Sequence, residues 1–229
     1  MVTSSLASLT PTRDRCLPVD EAFTPLLPDS GLQRGRVVGC TGPAAMSLAL
    51  ALVSHSVAVG SWLAVVGVPM LGVEATAEFG IPLSRLVMVD AMGGPAVWAE
   101  RVAAAVDGFD IVMTHPPAGA ERVVRKVRTR LQARGVVLVA IGPTSAGVSC
   151  DIEFTTTSVA WGGLGQGNGH LIARRVTVRA GGRRIPRPIE HDLWLPGPDG
   201  RVAPVDSHTQ SERSGARHHS VAPVLSRAG

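Results

Sequence analysis

The sequence predicts an α/β fold: a mostly parallel sheet flanked by helices, extended by a C-terminal antiparallel hairpin and followed by a disordered tail. Three observations carry this. Between residues 36 and 141, short apolar runs alternate with helical patterns, which is the signature of βαβ units with right-handed crossovers. The first apolar run enters a Gly42-Pro43 turn and leaves as an apolar helix, the strand, loop, helix order of a phosphate-binding P-loop. From Asp151 onward the pattern is strand-like without helices.

Residues 1–28 read as a lead-in, because Pro11, Pro18, Pro25 and Pro28 interrupt any long element. The core domain, 29–204, then opens with candidate strands at 36–40, 62–66, 85–89, 110–113 and 136–141. Candidate helices at 44–58, 73–79, 95–106 and 120–134 separate them. No Asp, Glu, Lys or Arg occurs between Arg36 and Glu74, an uncharged interval long enough to span a bilayer. Gly39, Gly42-Pro43, Ser54-His55-Ser56, Gly60-Ser61, Gly67 and Pro69 cut it into pieces of strand and helix length. Parallel strands covered on both faces read as continuous apolar runs, so a buried strand-helix-strand is favoured over a membrane hairpin and no membrane contact is expected.

Later strands are expected at 151–157, 170–179 and 190–195. The Gly-rich stretch 161–169 lies between strands and opens no helix. It therefore reads as a wide hairpin loop and fails the context required of a dinucleotide site. Gly181-Gly182 supplies the next turn, and Pro186 and Pro188 belong on an edge or between strands. Residues 205–229 are rich in Ser, His, Arg and Pro and read as a disordered tail. His218-His219 within it lacks a fixed second ligand for a metal.

With 229 residues the chain can bury one good core, and 45% hydrophobic with 17% charged residues excludes a wholly disordered protein. The formal charge of +4 comes almost entirely from arginine, since Lys126 is the only lysine; this is a weak pointer to nucleic acid. Cys16, Cys40 and Cys150 are odd in number and lack ligand spacing, so neither a disulfide framework nor a zinc site is indicated. A cytoplasmic setting is expected, and residues 1–9 show neither the positive nor the apolar region of a secretory signal.

The phosphate-binding pattern G-x-x-x-x-G-K-S/T falls on Gly42, Pro43, Ser47, Leu48 and Ala49. Leu48 stands where a lysine would meet the β/γ-phosphates, and Ala49 where a hydroxyl would hold Mg²⁺. Acids are also missing from the strand ends. The strand at 110–113 runs into Thr114-His115-Pro116-Pro117, and Val65-Val66 into Gly67-Val68-Pro69. Glu74 and Asp90 are the nearest carboxylates, and Asp110 reads as a solvated strand start. A non-catalytic domain is expected, with no bound nucleotide, cofactor or metal.

What remains is basic surface. In the helix at 120–134, Val123, Val124, Val127 and Leu131 form one apolar stripe, while Arg122, Arg125, Lys126 and Arg128 spread over the opposite face. Arg130 and Arg134 lie toward its margins. A second patch comprises Arg174, Arg175, Arg179, Arg183, Arg184 and Arg187; alternation places Arg175 and Arg179 on one face, and the turn presents Arg183-Arg184 outward. An ordinary solvated basic face competes with phosphate or acidic-partner contact. With no tyrosine and no interleaved aromatic residues, base stacking is poorly supported.

The stretch Leu26-Leu27-Pro28-Asp29-Ser30-Gly31-Leu32-Gln33-Arg34-Gly35-Arg36-Val37-Val38, followed by Gly42-Pro43, resembles the entry to the core of RecA-type recombinases. Phe79-Gly80-Ile81-Pro82-Leu83-Ser84-Arg85-Leu86 is similar to that family's helix, Gly and following strand. Arg175-Val176-Thr177-Val178-Arg179 through Ile189-Glu190-His191-Asp192-Leu193 resembles its terminal hairpin. Within that superfamily the chain is most similar, over residues 17 to 200, to small RecA-like accessory proteins of the ImuA type, in their degenerate actinobacterial form. The resemblance implies a RecA-like fold and an accessory role in damage-induced translesion synthesis. The implied partners are an inactive Y-family polymerase homologue and a second DnaE-type polymerase, with DNA contact through the basic surfaces as a further expectation. The connections at 115–119 and 142–149 are short where recombinases carry mobile DNA-binding loops, so filament formation is not expected. The competing function is a P-loop-type nucleotide hydrolase completed by a partner's residues, or a direct DNA-binding accessory protein.

Overall fold

The computed structural model describes residues 15–142, 148–164 and 169–205. A small antiparallel pair, β1 (Cys16–Pro18) and β2 (Gly31–Gln33), brackets a short helical turn at Glu21–Leu26. The alternating core follows: β3 (Val37–Thr41), α1 (Ala45–Ala58), β4 (Leu63–Val66), α2 (Val73–Glu78), β5 (Leu86–Val89), α3 (Pro95–Gly108), β6 (Ile111–Thr114), α4 (Glu121–Arg134) and β7 (Val137–Ile141). The chain continues through β8 (Ile152–Leu164), β9 (Gly169–Gly182), β10 (Ile185–Trp194) and β11 (Ala203–Pro204).

These strands form one sheet of order β11-β10-β9-β8-β3-β7-β6-β4-β5. From β8 through β5 all neighbours pair in parallel, while β9, β10 and β11 continue as antiparallel neighbours. The fold class read from the sequence is thus observed: α/β, mostly parallel, flanked by helices, with a C-terminal antiparallel hairpin.

The inner parallel strands β3, β7, β6 and β4 are buried on both faces because their side chains alternate between two apolar layers. Val137, Val139 and Ile141 of β7 join Leu63 and Val65 of β4 in a core beneath α1, which contributes Leu48, Leu52 and Val57. Leu138 and Ala140 point the other way, with Ala64 and Val66, onto Trp98, Val102 and Val106 of α3 and Val124 and Leu131 of α4. This two-sided burial explains the charge-free interval after Arg36. Among the described residues no helix is long and apolar enough to cross a membrane.

Several boundaries differ from expectation. Leu17, Phe23, Leu26 and Leu27 pack into the α1 layer, so the lead-in from Cys16 onward belongs to the core: prolines stop long elements there without stopping burial. Of the stretch 161–169, expected as a wide loop, 161–164 and Gly169 are strand, and 165–168 lie outside the described residues. β8 runs through Gly162 and Leu164 and pairs with Ala173 and Gly169 of β9, so cross-strand hydrogen bonding overrides the low strand preference of glycine. β10 starts at Ile185, and Pro186 and Pro188 fall within its register shift between Ile185 and Ile189. The tail from residue 206, with His218-His219, lies outside the described residues, as does 143–147 of the connection after β7.

Candidate functional site

The position where the sequence suggests a phosphate-binding loop is the junction of β3 and α1, at the carboxyl end of the parallel strands where an open α/β sheet ordinarily binds ligands. Here the Gly42-Pro43 turn is exposed, but the protein itself takes up an amide of the loop. Thr156 of the adjacent strand β8 accepts the Ala44 N–H at 3.0 Å through its Oγ1, and that hydroxyl donates to the Thr41 carbonyl at 3.1 Å. Thr41 Oγ1 bonds Thr155 Oγ1 at 2.9 Å. Ala44 precedes the first residue of α1, so Thr156 takes up one of the amide groups that a bound anion would use. Gly42 has φ +92, and a side chain there would collide with the main-chain oxygen of Thr156, so glycine is required by closure of the loop onto β8. Leu48 and Ala49 are 0% exposed and belong to the core; Ser47 is half-buried.

The acid positions are equally committed elsewhere. At the end of β6, Thr114 is 0% exposed; its hydroxyl accepts Trp98 Nε1–H at 2.7 Å and donates to the Val66 carbonyl at 2.8 Å. The ends of β4 and β6 are thereby tied to each other and to α3. Glu74 is exposed on α2, and exposed Asp90 accepts the Met92 N–H at 2.9 Å. Asp110 is more than a solvated strand start: its two oxygens receive Arg34 Nη1–H at 3.2 Å and the Trp62 N–H at 3.0 Å.

The basic residues divide into two groups. Arg122, Arg125 and Lys126 are exposed along α4, and the stripe Val124, Val127 and Leu131 is buried with Val123 half-buried, as the periodicity predicts. Lys126 also lines a groove of about 750 Å³ between α3 and α4, floored by Ala99, Ala103, Val123 and Val127. Arg130 and Arg134 pair with Asp107 of α3 at 3.7 and 3.5 Å at the far end of these helices. Arg128, expected on the exposed face, turns to Asp151 at 2.9 Å and also donates to the Ser149 carbonyl. Arg183 and Arg184 are exposed at the turn, as expected, and each also meets an acid of the fold: Arg183 reaches the same carboxylate at 2.8 Å, and Arg184 lies 3.6 Å from Asp29.

Asp151 was unremarkable in the sequence and is central in the structure. Its side chain is 3% exposed, and Oδ2 also accepts the Val37 N–H at 2.9 Å. Burial acts to raise its pKa, but the Val37 N–H and the guanidinium groups of Arg183 and Arg128 outweigh this and hold it below the ordinary carboxylate range. The residue joins β3, α4 and the β9–β10 turn. Neither Thr156 nor Asp151 could be found by motif, since their partners lie more than a hundred residues away in sequence for Thr41 and Val37. Burial pushes the Cys150 thiol up to about 11 and that of Cys40 higher still, so both stay protonated near neutral pH.

Residues 25–146, from the end of the first helical turn past β7, match the family described as the MT3502 N-terminal domain. A stretch of 93 residues is 39% identical to an uncharacterised protein of Mycobacterium tuberculosis, Rv3395c, covering 41% of this chain and 41% of that protein. The family match spans more than half of the chain, and the chain belongs to the MT3502 N-terminal domain family.

Proposed function

We propose that this member of the family is a non-catalytic, RecA-like accessory subunit of the ImuA type, acting in damage-induced translesion synthesis through protein–protein contacts. The observation that carries the non-catalytic part is the closed β3–α1 junction. The loop keeps the Gly-Pro turn, yet Thr156 satisfies its amide and the lysine and hydroxyl positions are core residues Leu48 and Ala49. Phosphate binding would need free N–H groups, a cation and an Mg²⁺-bearing hydroxyl at that place. The RecA-like assignment is supported by a first core strand that lies inside a parallel sheet and by a terminal antiparallel hairpin, both features that the resemblance implies.

Such a subunit acts by presenting surfaces on a rigid frame. The exposed cations of α4 beside the α3–α4 groove suit an acidic partner surface. The proposed partners are the inactive Y-family polymerase homologue and the DnaE-type polymerase. A pull-down from DNA-damaged cells tests this: recovery of both polymerases with the full chain is expected, and their absence would overturn the assignment. Calorimetric ATP titration tests the closed junction separately. No heat is expected, alone or with a partner, whereas hydrolysis well above a Gly42-substituted control would reject the non-catalytic reading in favour of a hydrolase.

A further inference from the structure

The arginines of the β9–β10 hairpin are satisfied in two ways. Arg175, Arg183 and Arg184 each face a carboxylate, of Asp192, Asp151 and Asp29. Arg179 and Arg187 are exposed to water. Arg174 fits neither group: it is half-buried and makes no ion pair among the described residues. Its Nε–H donates to the Leu195 carbonyl at 2.5 Å, and its guanidinium carbon sits 5.1 Å from the ring centroid of Trp161, the residue directly opposite on β8. The group is therefore held in place by a hydrogen bond and an aromatic face, while burial works against its charge.

Arg174 lines a cavity of about 410 Å³ between the hairpin, the end of α2 and the first turn of α1. Phe79, Pro196 and Trp161 give apolar walls, Ser47 a hydroxyl, and Glu78 a single carboxylate. Trp161 remains 46% exposed, a large aromatic surface left at the cavity mouth. A fixed, half-buried charge that makes no ion pair of its own among the described residues is stabilised by an anion that enters beside it.

We propose that this cavity is a binding site for a carboxylate carried on an apolar body, with Arg174 as its anchor. The planar guanidinium matches a planar carboxylate in bidentate fashion. One cation with Glu78 in the same cavity disfavours a doubly charged phosphate. That the carboxylate belongs to a partner peptide rests on the docking function proposed above; the site itself is independent of it.

The full-length chain titrated with N-acetylphenylalanine, its amide and inorganic phosphate, and followed by the indole NMR signal of Trp161, tests the site. The expected result is a saturable shift with the carboxylate, at least tenfold weaker affinity for amide and phosphate, and tighter carboxylate binding in Glu78→Gln. Arg174→Gln should abolish the shift. Should that variant unfold, Ser47→Phe fills the cavity from α1 without touching the guanidinium and should abolish it equally. No saturable shift, equal affinity for acid and amide, phosphate binding as tight as carboxylate, or undiminished binding in a folded Arg174→Gln would each overturn the proposal. The polymerase pull-down reads the docking function separately, so either idea can fail alone.

Discussion

Asp151 is one buried carboxylate with three partners, and its removal should be felt throughout the fold. Asp151→Asn is expected to cost about 3 kcal/mol in chemical denaturation at neutral pH, because it strands Arg128 beside a buried amide. Arg183→Ala should cost less than about 1 kcal/mol, since that guanidinium is 64% exposed. The sign of the pH dependence follows from the lowered pKa. The stabilisation is full above the unfolded-state value near ~4 and is lost as pH falls through the lower folded-state value. Wild type should thus lose stability more steeply than Asp151→Asn in acid, read as denaturation midpoints from pH 6 downward. At the other buried contact, Thr156→Val leaves the Ala44 N–H unsatisfied and should cost about 1–3 kcal/mol. Gly42→Ala should be destabilised further by its positive φ and the collision with β8. ATP should bind neither variant, which calorimetry checks.

Helix α4 separates charges that hold the fold from charges available to partners. Replacing Arg122, Arg125 and Lys126 together by Gln should leave the melting temperature within a few degrees of wild type, because all three are exposed and none has an ion pair among the described residues. Arg128→Gln alone should lower it clearly, through the buried Asp151. If the triple variant also loses the partners proposed above, the surface is functional; if it melts early, the division is wrong. The helix and its stripe were legible in the sequence because Val124, Val127 and Leu131 are local, at helical spacing, and end at Gly135, whose φ of 69 closes the last turn onto Leu131. The five alternating strands were legible for the same reason. The inward turn of Arg128 was not, since it depends on a residue 23 positions away that no periodicity marks. The glycine-rich part of β8 was misread because composition reports intrinsic preference, whereas the strand is made by pairing with β9. That the β3–α1 loop lacks a lysine and a hydroxyl could be read from Leu48 and Ala49, but its contact with Thr156 needed the strand order.

Across the whole molecule, the sheet ends differently on its two sides. β11 is two residues long and carries Pro204, a poor template for another strand. β5 is an open edge with Val87 and Met88 exposed, near exposed Leu83 and Met92. Met88→Lys is therefore expected to reduce concentration-dependent association, measured by light scattering, without lowering the melting temperature. Amide hydrogen exchange should rank the strands in the same sense: slowest in β3 and β7, which have neighbours on both sides and two apolar layers, and fastest in β5. An exchange map with β5 as well protected as β7 would contradict this gradient.

The filled junction also bears on how the chain can change. A lysine placed at position 48 would carry its ammonium into a site with 0% exposure, and removing Thr156 would orphan an amide before any phosphate arrived to accept it. Either substitution alone is expected to make the folded chain less stable. Under the function proposed above, surface positions are therefore freer to vary than the β3–α1 junction, where any step toward phosphate binding lowers stability before a ligand can compensate.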